Sequence, residues 1–175
     1  IGGMANISVL RPAAADPVQG FDTGPGNALL DGWNRRHGKG EYDLDGKWAR
    51  SGRVDPPLLA RLLGHPYFSL APPKSTGREE FNLAWLDGHL SGRDVAYRDV
   101  QATLLAFTAT TIADAIRDNL PESGEIFVCG GGIHNACLME QLRARLEPRR
   151  IESTAAIGME PDWVEAGLFA WLARQ

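Results

Sequence analysis

An α/β domain with a mixed sheet flanked by helices is predicted by three features of the chain. From residue 125 onward strand-like and helix-like segments alternate: EIFVC, three glycines, an amphipathic stretch over 135–146, RIESTAA, and a closing helical pattern from Pro161 and Asp162. The chain opens on a β-branched apolar run, IGGMANISVL. Residues 99–120 place apolar side chains at 100, 104, 105, 107, 112, 116 and 120, with Ala and Thr between, as a helix packed closely on both sides does.

The remaining elements follow in order. ANISVL reads as a strand, RPAAADP as a hairpin turn, and VQGFD as a short second strand entering a glycine turn. NALLDGWNRRHG carries apolar residues at 29, 30 and 33, one face of a helix. Residues 38–57 hold Gly, Asp and Pro without a clean period and read as an irregular connection. PPLLARLLGHPYF is a short helix with proline in its first turn and Pro66 just past its end. APPKSTGREEFNLAWLDGHL is a loop and then a helix, with Ser75 or Thr76 as cap and Glu79 and Glu80 near the positive end of its dipole.

Composition bounds the function. With 175 residues, 43% hydrophobic and 23% charged, the chain is a single globular domain, 1–175, able to bury one core. Its 18 basic and 22 acidic residues give a net charge of -4 with no basic block, so nucleic acid is not the expected partner. No apolar run reaches the roughly 18 residues of a membrane span and no signal-peptide pattern opens the chain, which points to the cytoplasm. Cys129 and Cys137 fit neither a disulfide framework nor a metal-ligand spacing and read as buried thiols; no metal ligand set is assigned. The absence of an initiating methionine before the apolar pattern leads to the expectation that the natural chain starts earlier.

Three glycine-rich stretches carry the chemistry. In GFDTGPGN, residues 20–27, glycines and a proline shape a turn around Asp22; either Asp22 or Asn27 caps the following helix, or the turn aims Asp22 at something that is not protein. In VCGGGIHN the glycines stand where a strand meets a helix, a place for an anion or the flat edge of a nucleotide, or for packing alone. The spacing is neither GxGxxG nor a P-loop. IGGMANIS is a second glycine pair with Asn6 three residues on, a phosphate-directed turn or an ordinary strand bulge.

Taken together these stretches resemble one half, the C-terminal one, of the sugar-kinase, actin and heat-shock ATPase superfamily, a ribonuclease H-like ATPase-type fold. GGMANISVL, GFDTGPGNALLD, PYFSLAPPKSTGREEFN, DVQATL, VCGGGIHNACLM and DWVEAGLFAWLA resemble the anhydro-N-acetylmuramic acid kinase family across nearly the whole chain. The resemblance implies an ATP- and Mg2+-dependent kinase that opens the anhydro bridge of 1,6-anhydro-N-acetylmuramic acid and phosphorylates the sugar to N-acetylmuramic acid 6-phosphate in cell-wall recycling. It implies Asp22 as general base, Gly2, Gly3 and Asn6 on the phosphate side of the nucleotide, and Gly130, Gly131, Gly132 and Asn135 on its adenosine side. Glu165 falls where the family places a glutamate near the sugar, or is a helix-surface glutamate. Lys74 and Arg78 either neutralise phosphate or hold their loop, and the structural role is favoured; His134 is a packing or nucleotide-edge residue. The family's glycine-, serine- and threonine-rich opening loop is not in this sequence, so an N-terminal domain is an expected partner and the 175 residues alone are expected to be inactive. A homodimer with 99–120 as a contributor is a further expectation. The rival readings are a non-catalytic nucleotide-binding or regulatory module of the same superfamily and a glycine-rich module that binds a protein partner.

Overall fold

In the computed structural model, residues 1–10, 18–120 and 124–174 are described. The hairpin turn expected at RPAAADP lies outside them. Strand β1, Met4–Val9, pairs antiparallel with β2, Gln19–Pro25. Strand β3, Ile126–Val128, pairs parallel with β4, Ile151–Ser153. The expected mixture of pairings is therefore present, divided between two two-stranded sheets among the described residues.

The β1–β2 ladder is irregular where the chemistry is expected. Ala5 pairs with Gly24 and Asn6 with Asp22, so Thr23 is an extra residue in β2. Such a bulge bends a strand and re-aims its neighbours. Thr23 is 2% exposed, and its hydroxyl donates to the Ala5 carbonyl at 3.2 Å, which satisfies the displaced side chain.

Helix α1, Ala28–Arg36, follows the glycine turn. Asn27 stands at its N-cap but makes no side-chain cap bond, and its amide donates to the Gly2 carbonyl at 2.8 Å. Helix α2, Lys47–Ser51, interrupts the stretch expected to be irregular. The Asp43 carboxylate accepts the amides of Trp48 and Ala49, both at 2.8 Å, and so supplies a negative group at that helix start. Helix α3, Pro56–Leu63, is capped by Asp55, whose carboxylate accepts the Leu58 amide at 2.7 Å. Helix α4, Leu83–Leu90, is capped by Asn82 through the Trp85 amide at 3.0 Å. Ser75 and Thr76 are thus not its cap, and Glu79 and Glu80 precede it.

Helix α5, Tyr97–Asn119, is the spine of the core, and α1, α2, α3, both β1 and β2, and α6, Ala136–Leu146, pack around it. Its alanines at 102, 106, 109 and 113 are buried and let neighbours approach closely, while Leu104, Leu105 and Phe107 fill the space between. The Thr108 hydroxyl reaches the carbonyls of Pro25 and Gly26 at 3.2 and 3.1 Å, joining α5 to the glycine turn. Val100 to Ala109 is a continuous buried stretch inside the domain, while Arg117 to Leu120 are at least partly exposed. Helix α7, Val164–Leu172, begins three residues after Pro161 and buries none of its residues.

Candidate active site

Asp22 lies in β2 beside the bulge and lines an open groove of about 450 Å³ with Asn6, Ile7, Ser8, Gly20, Phe21, Pro73, Lys74 and Ser75. One wall is the β1–β2 pair and the other is the segment 66–80, whose part from 71 onward is expected to be a loop. That segment clamps Asp22 through the whole residue. The Asp22 amide donates to the Lys74 carbonyl at 3.0 Å, and the Tyr67 hydroxyl donates to the Asp22 carbonyl at 2.6 Å. The carboxylate oxygen Oδ2 accepts the Ser75 hydroxyl at 2.9 Å and the Thr76 amide at 3.0 Å. Asp22 therefore makes no cap to α1.

Behind the clamp, the Thr76 hydroxyl donates to Glu80, and Glu80 lies 3.8 Å from His65 Nε2. Tyr67 packs edge-on against Phe68 and Phe81. Burial, and then the negative charges of Asp22 and Glu80, push the Tyr67 phenol up to about 12, so it is a neutral donor wherever the protein works. Lys74 donates to the carbonyls of Tyr67 and Phe68 at 3.2 and 3.4 Å and sits 4.7 Å from the centre of the Tyr67 ring. Burial lowers its ammonium pKa, with Asp118 opposing. The structural role favoured for Lys74 is the one it occupies.

The three glycine stretches meet. The amides of Gly26 and Ala28 donate to the Gly3 carbonyl at 3.0 and 2.9 Å, tying the GPGN turn to the opening loop. The Gly132 amide donates to the Ile1 carbonyl at 2.9 Å, and the Ile1 nitrogen donates to the Cys129 carbonyl. A methyl group at Gly132 would lie 2.6 Å from the Ile1 side chain, so this glycine is required for close approach. Gly131 faces outward, with Asn27 Nδ2 at 3.9 Å the nearest group to a Cβ placed on it. Ile1 thus joins the opening loop and the Gly130–Gly132 turn into one glycine shelf, in which Gly132 is buried and the amides of Gly2, Gly130 and Gly132 are taken by the carbonyls of Met4, Pro161 and Ile1. Asn6 is on the Asp22 side, in the groove wall.

The family model for anhydro-N-acetylmuramic acid kinase matches residues 1–175. The chain belongs to the anhydro-N-acetylmuramic acid kinase family. A protein of that name from Nitrosomonas europaea is 53% identical over 175 residues, all of this chain and 47% of the relative. One from Shewanella oneidensis is 53% identical over 174 residues, 99% of the chain and 47% of the relative, and one from Coxiella burnetii is 47% identical over 175 residues. The chain spans about half the length of the curated relatives it matches. That overlap gives a share and not a position, so the expected C-terminal placement gains no support from it.

In this member of the anhydro-N-acetylmuramic acid kinase family, other expected site residues fall apart from Asp22. Asn135 caps α6, its side-chain oxygen accepting the Leu138 amide at 3.1 Å. Glu165 is exposed on α7 and does not line the Asp22 groove. His134 pairs with Asp162 at 2.9 Å. The Arg78 guanidinium is exposed and rests on the opening loop, 2.7 Å from where a Gly3 Cβ would be. The residues that sequence reasoning left out are Tyr67, Ser75 and Thr76. Their contacts to Asp22 cross 45, 53 and 54 residues, and only the unusual composition of PPKSTGRE marked that segment. Among the described residues no three His, Cys, Asp or Glu side chains gather as a metal cluster.

Proposed function

We propose that the protein containing this chain is an ATP-dependent kinase that converts 1,6-anhydro-N-acetylmuramic acid to N-acetylmuramic acid 6-phosphate, with Asp22 as general base. The observation that carries this reading is a carboxylate fixed by its neighbours at the wall of an open groove, in a chain of this family. Water attacks the anomeric carbon and gives its proton to Asp22; the bond from that carbon to the bridge oxygen breaks. The freed oxygen at C6 then bonds the γ-phosphorus of ATP and ADP leaves. A base must stand within hydrogen-bond reach of its proton, and a groove wall supplies that reach.

The glycine shelf fits a nucleotide, because it carries little side-chain bulk, and phosphoryl transfer asks mainly for positioning and charge neutralisation. In this reading Gly2 and Gly3 serve the phosphates, Gly130–Gly132 the adenosine, and Asn135 holds the second turn in place as a cap. Arg78 is the cation that rests on the shelf. Mg2+ fits as an ion held largely by phosphate oxygens and water, needing no protein cluster, and would neutralise the charge that develops on the transferring phosphate. Glu165 belongs to the sugar site only once the rest of the longer protein is in place. The remainder of that protein completes both sites, so the 175 residues alone are expected to be inactive. Cytoplasmic cell-wall recycling and a homodimer complete the reading; among the described residues no helix is long and apolar enough to cross a membrane.

The test is phosphate transfer from ATP to the anhydro sugar by the full-length protein and its Asp22→Asn variant. Turnover is expected to fall by about a hundred- to ten-thousand-fold, with ATP binding kept. Undiminished turnover in the variant would overturn the assignment. ATP binding without any sugar-dependent turnover in the unaltered protein would favour a nucleotide-binding module.

A further inference from the structure

We infer that Ser75 is a positioning residue that, with the Thr76 amide, holds Oδ2 of Asp22 and leaves Oδ1 as the atom that accepts the proton. The inference rests on the general-base reading of Asp22 and adds to it which oxygen acts and what aims it.

A free aspartate turns readily about its last torsion, because that torsion joins a tetrahedral to a planar carbon and has broad, two-fold wells. Here both donors that reach the carboxylate fall on the same oxygen, Ser75 Oγ at 2.9 Å and Thr76 N at 3.0 Å. Among the described residues no hydrogen bond ends on Oδ1. The main chain is fixed on both sides as well, through Lys74 and Tyr67. The carboxylate plane is thus the last freedom to be removed, and two donors on one atom remove it.

Proton transfer is consistent with this arrangement in both states. Before transfer, Oδ2 accepts two hydrogen bonds and Oδ1 keeps a lone pair for the water proton. After transfer, Oδ1 carries the proton and Oδ2 becomes the carbonyl oxygen, which still accepts both donors. A proton arriving on Oδ2 would face two N–H and O–H donors already aimed at that atom. The two donors also differ in rigidity. Thr76 is anchored by its own hydroxyl to Glu80, whereas Ser75 is exposed and lines the groove, so Ser75 is the donor that mutation can remove without disturbing the segment behind it.

The experiment compares full-length protein with Ser75→Ala, Ser75→Thr and Asp22→Asn, reading kcat, KM for the anhydro sugar, KM for ATP and the unfolding temperature. Loss of one charge-assisted hydrogen bond predicts a kcat about tenfold lower in Ser75→Ala, with both KM values within about twofold and unfolding unchanged. Threonine keeps the hydroxyl, so Ser75→Thr is expected to recover most of the lost turnover. Wild-type kcat in Ser75→Ala would overturn the inference, as would a raised sugar KM at constant kcat, which would make Ser75 a substrate contact. A Ser75→Thr variant as slow as Ser75→Ala would overturn it too. If Asp22→Asn retains full turnover, the general-base reading itself falls; loss in Asp22→Asn with none in Ser75→Ala sinks only the role given to Ser75.

Discussion

Replacing Gly26 by alanine would place a methyl carbon 2.5 Å from the Gly2 carbonyl oxygen, 3.1 Å from the Met4 carbonyl carbon and 3.2 Å from the Ala5 nitrogen. All three atoms are main chain, so no side chain can swing aside. The opening loop has to move off the GPGN turn, and the bonds at stake are Gly26 to Gly3, Asn27 to Gly2 and Ala28 to Gly3, at 3.0, 2.8 and 2.9 Å. At roughly 1 kcal/mol each, their loss amounts to about 3 kcal/mol. For a domain of this size that is a fall of about 6–12 °C in Tm. The control is Gly88→Ala in α4, where nothing lies within 4 Å of the added carbon. An exposed helix position gains by that change, by roughly 0.5–1 kcal/mol. Thermal unfolding followed by circular dichroism reads both variants, and nucleotide binding by calorimetry reads the shelf. A Gly26→Ala protein that unfolds within about 2 °C of the wild type would refute the reasoning, because the turn would then have slack that the distances deny.

Two other changes probe the walls of the site. Tyr67→Phe keeps the ring between Phe68 and Phe81 but removes the donor 2.6 Å from the Asp22 carbonyl, and is expected to cost about 1–2 kcal/mol of stability and to slow turnover. The Tyr67 phenol ionises at about 12 in the folded chain against 10.0 in the reference state, so its stabilisation is complete below 10.0 and is lost as pH rises towards 12. Unfolding temperatures measured through that window should therefore decline less steeply in Tyr67→Phe than in the wild type, and equal slopes would count against it. Arg78→Gln removes the cation resting on Gly3; about a tenfold loss in kcat/KM for ATP with unchanged unfolding is expected, and unchanged kinetics would return Arg78 to the loop-holding role.

Elements whose signals are local were legible. Pro57 in the first turn and Pro66 past the end bracket α3, and the periodic apolar residues of 99–120 mark the buried spine α5. Helix α2 was not, because it is five residues long and starts from Gly46 with φ of 67°, in a segment whose Gly and Asp content reads as loop. Its support is Asp43 from outside the helix and the packing of Gly46 against Asn135, where an added Cβ would lie 2.5 Å from the Asn135 side-chain oxygen. The α4 cap was misplaced by several residues because STGREEFN offers several polar candidates and only the fold selects Asn82. At the site, residue types and glycine positions pointed to Asp22 and to the shelf, but the direction of the carboxylate was invisible. Ser75 and Thr76 read as caps until the 66–80 segment is laid across β2, and that placement is tertiary.

The extra residue at Thr23 makes β2 one residue longer than β1 over the span where Met4 to Asn6 faces Asp22 to Pro25. The strand therefore works as a spacer that sets the phase between two devices with different tasks, the carboxylate at 22 and the turn at 24–27 that grips the opening loop. Deleting Thr23 would restore an ordinary ladder and look conservative from the standpoint of pairing. It would also shift Asp22 by one position relative to that turn, and because strand side chains alternate, a one-residue shift reverses the face on which a side chain emerges. Either the base or the loop anchor would then be on the wrong side of the sheet. A family member that dispensed with this residue would have to recover the same offset elsewhere between the carboxylate and the GPGN turn.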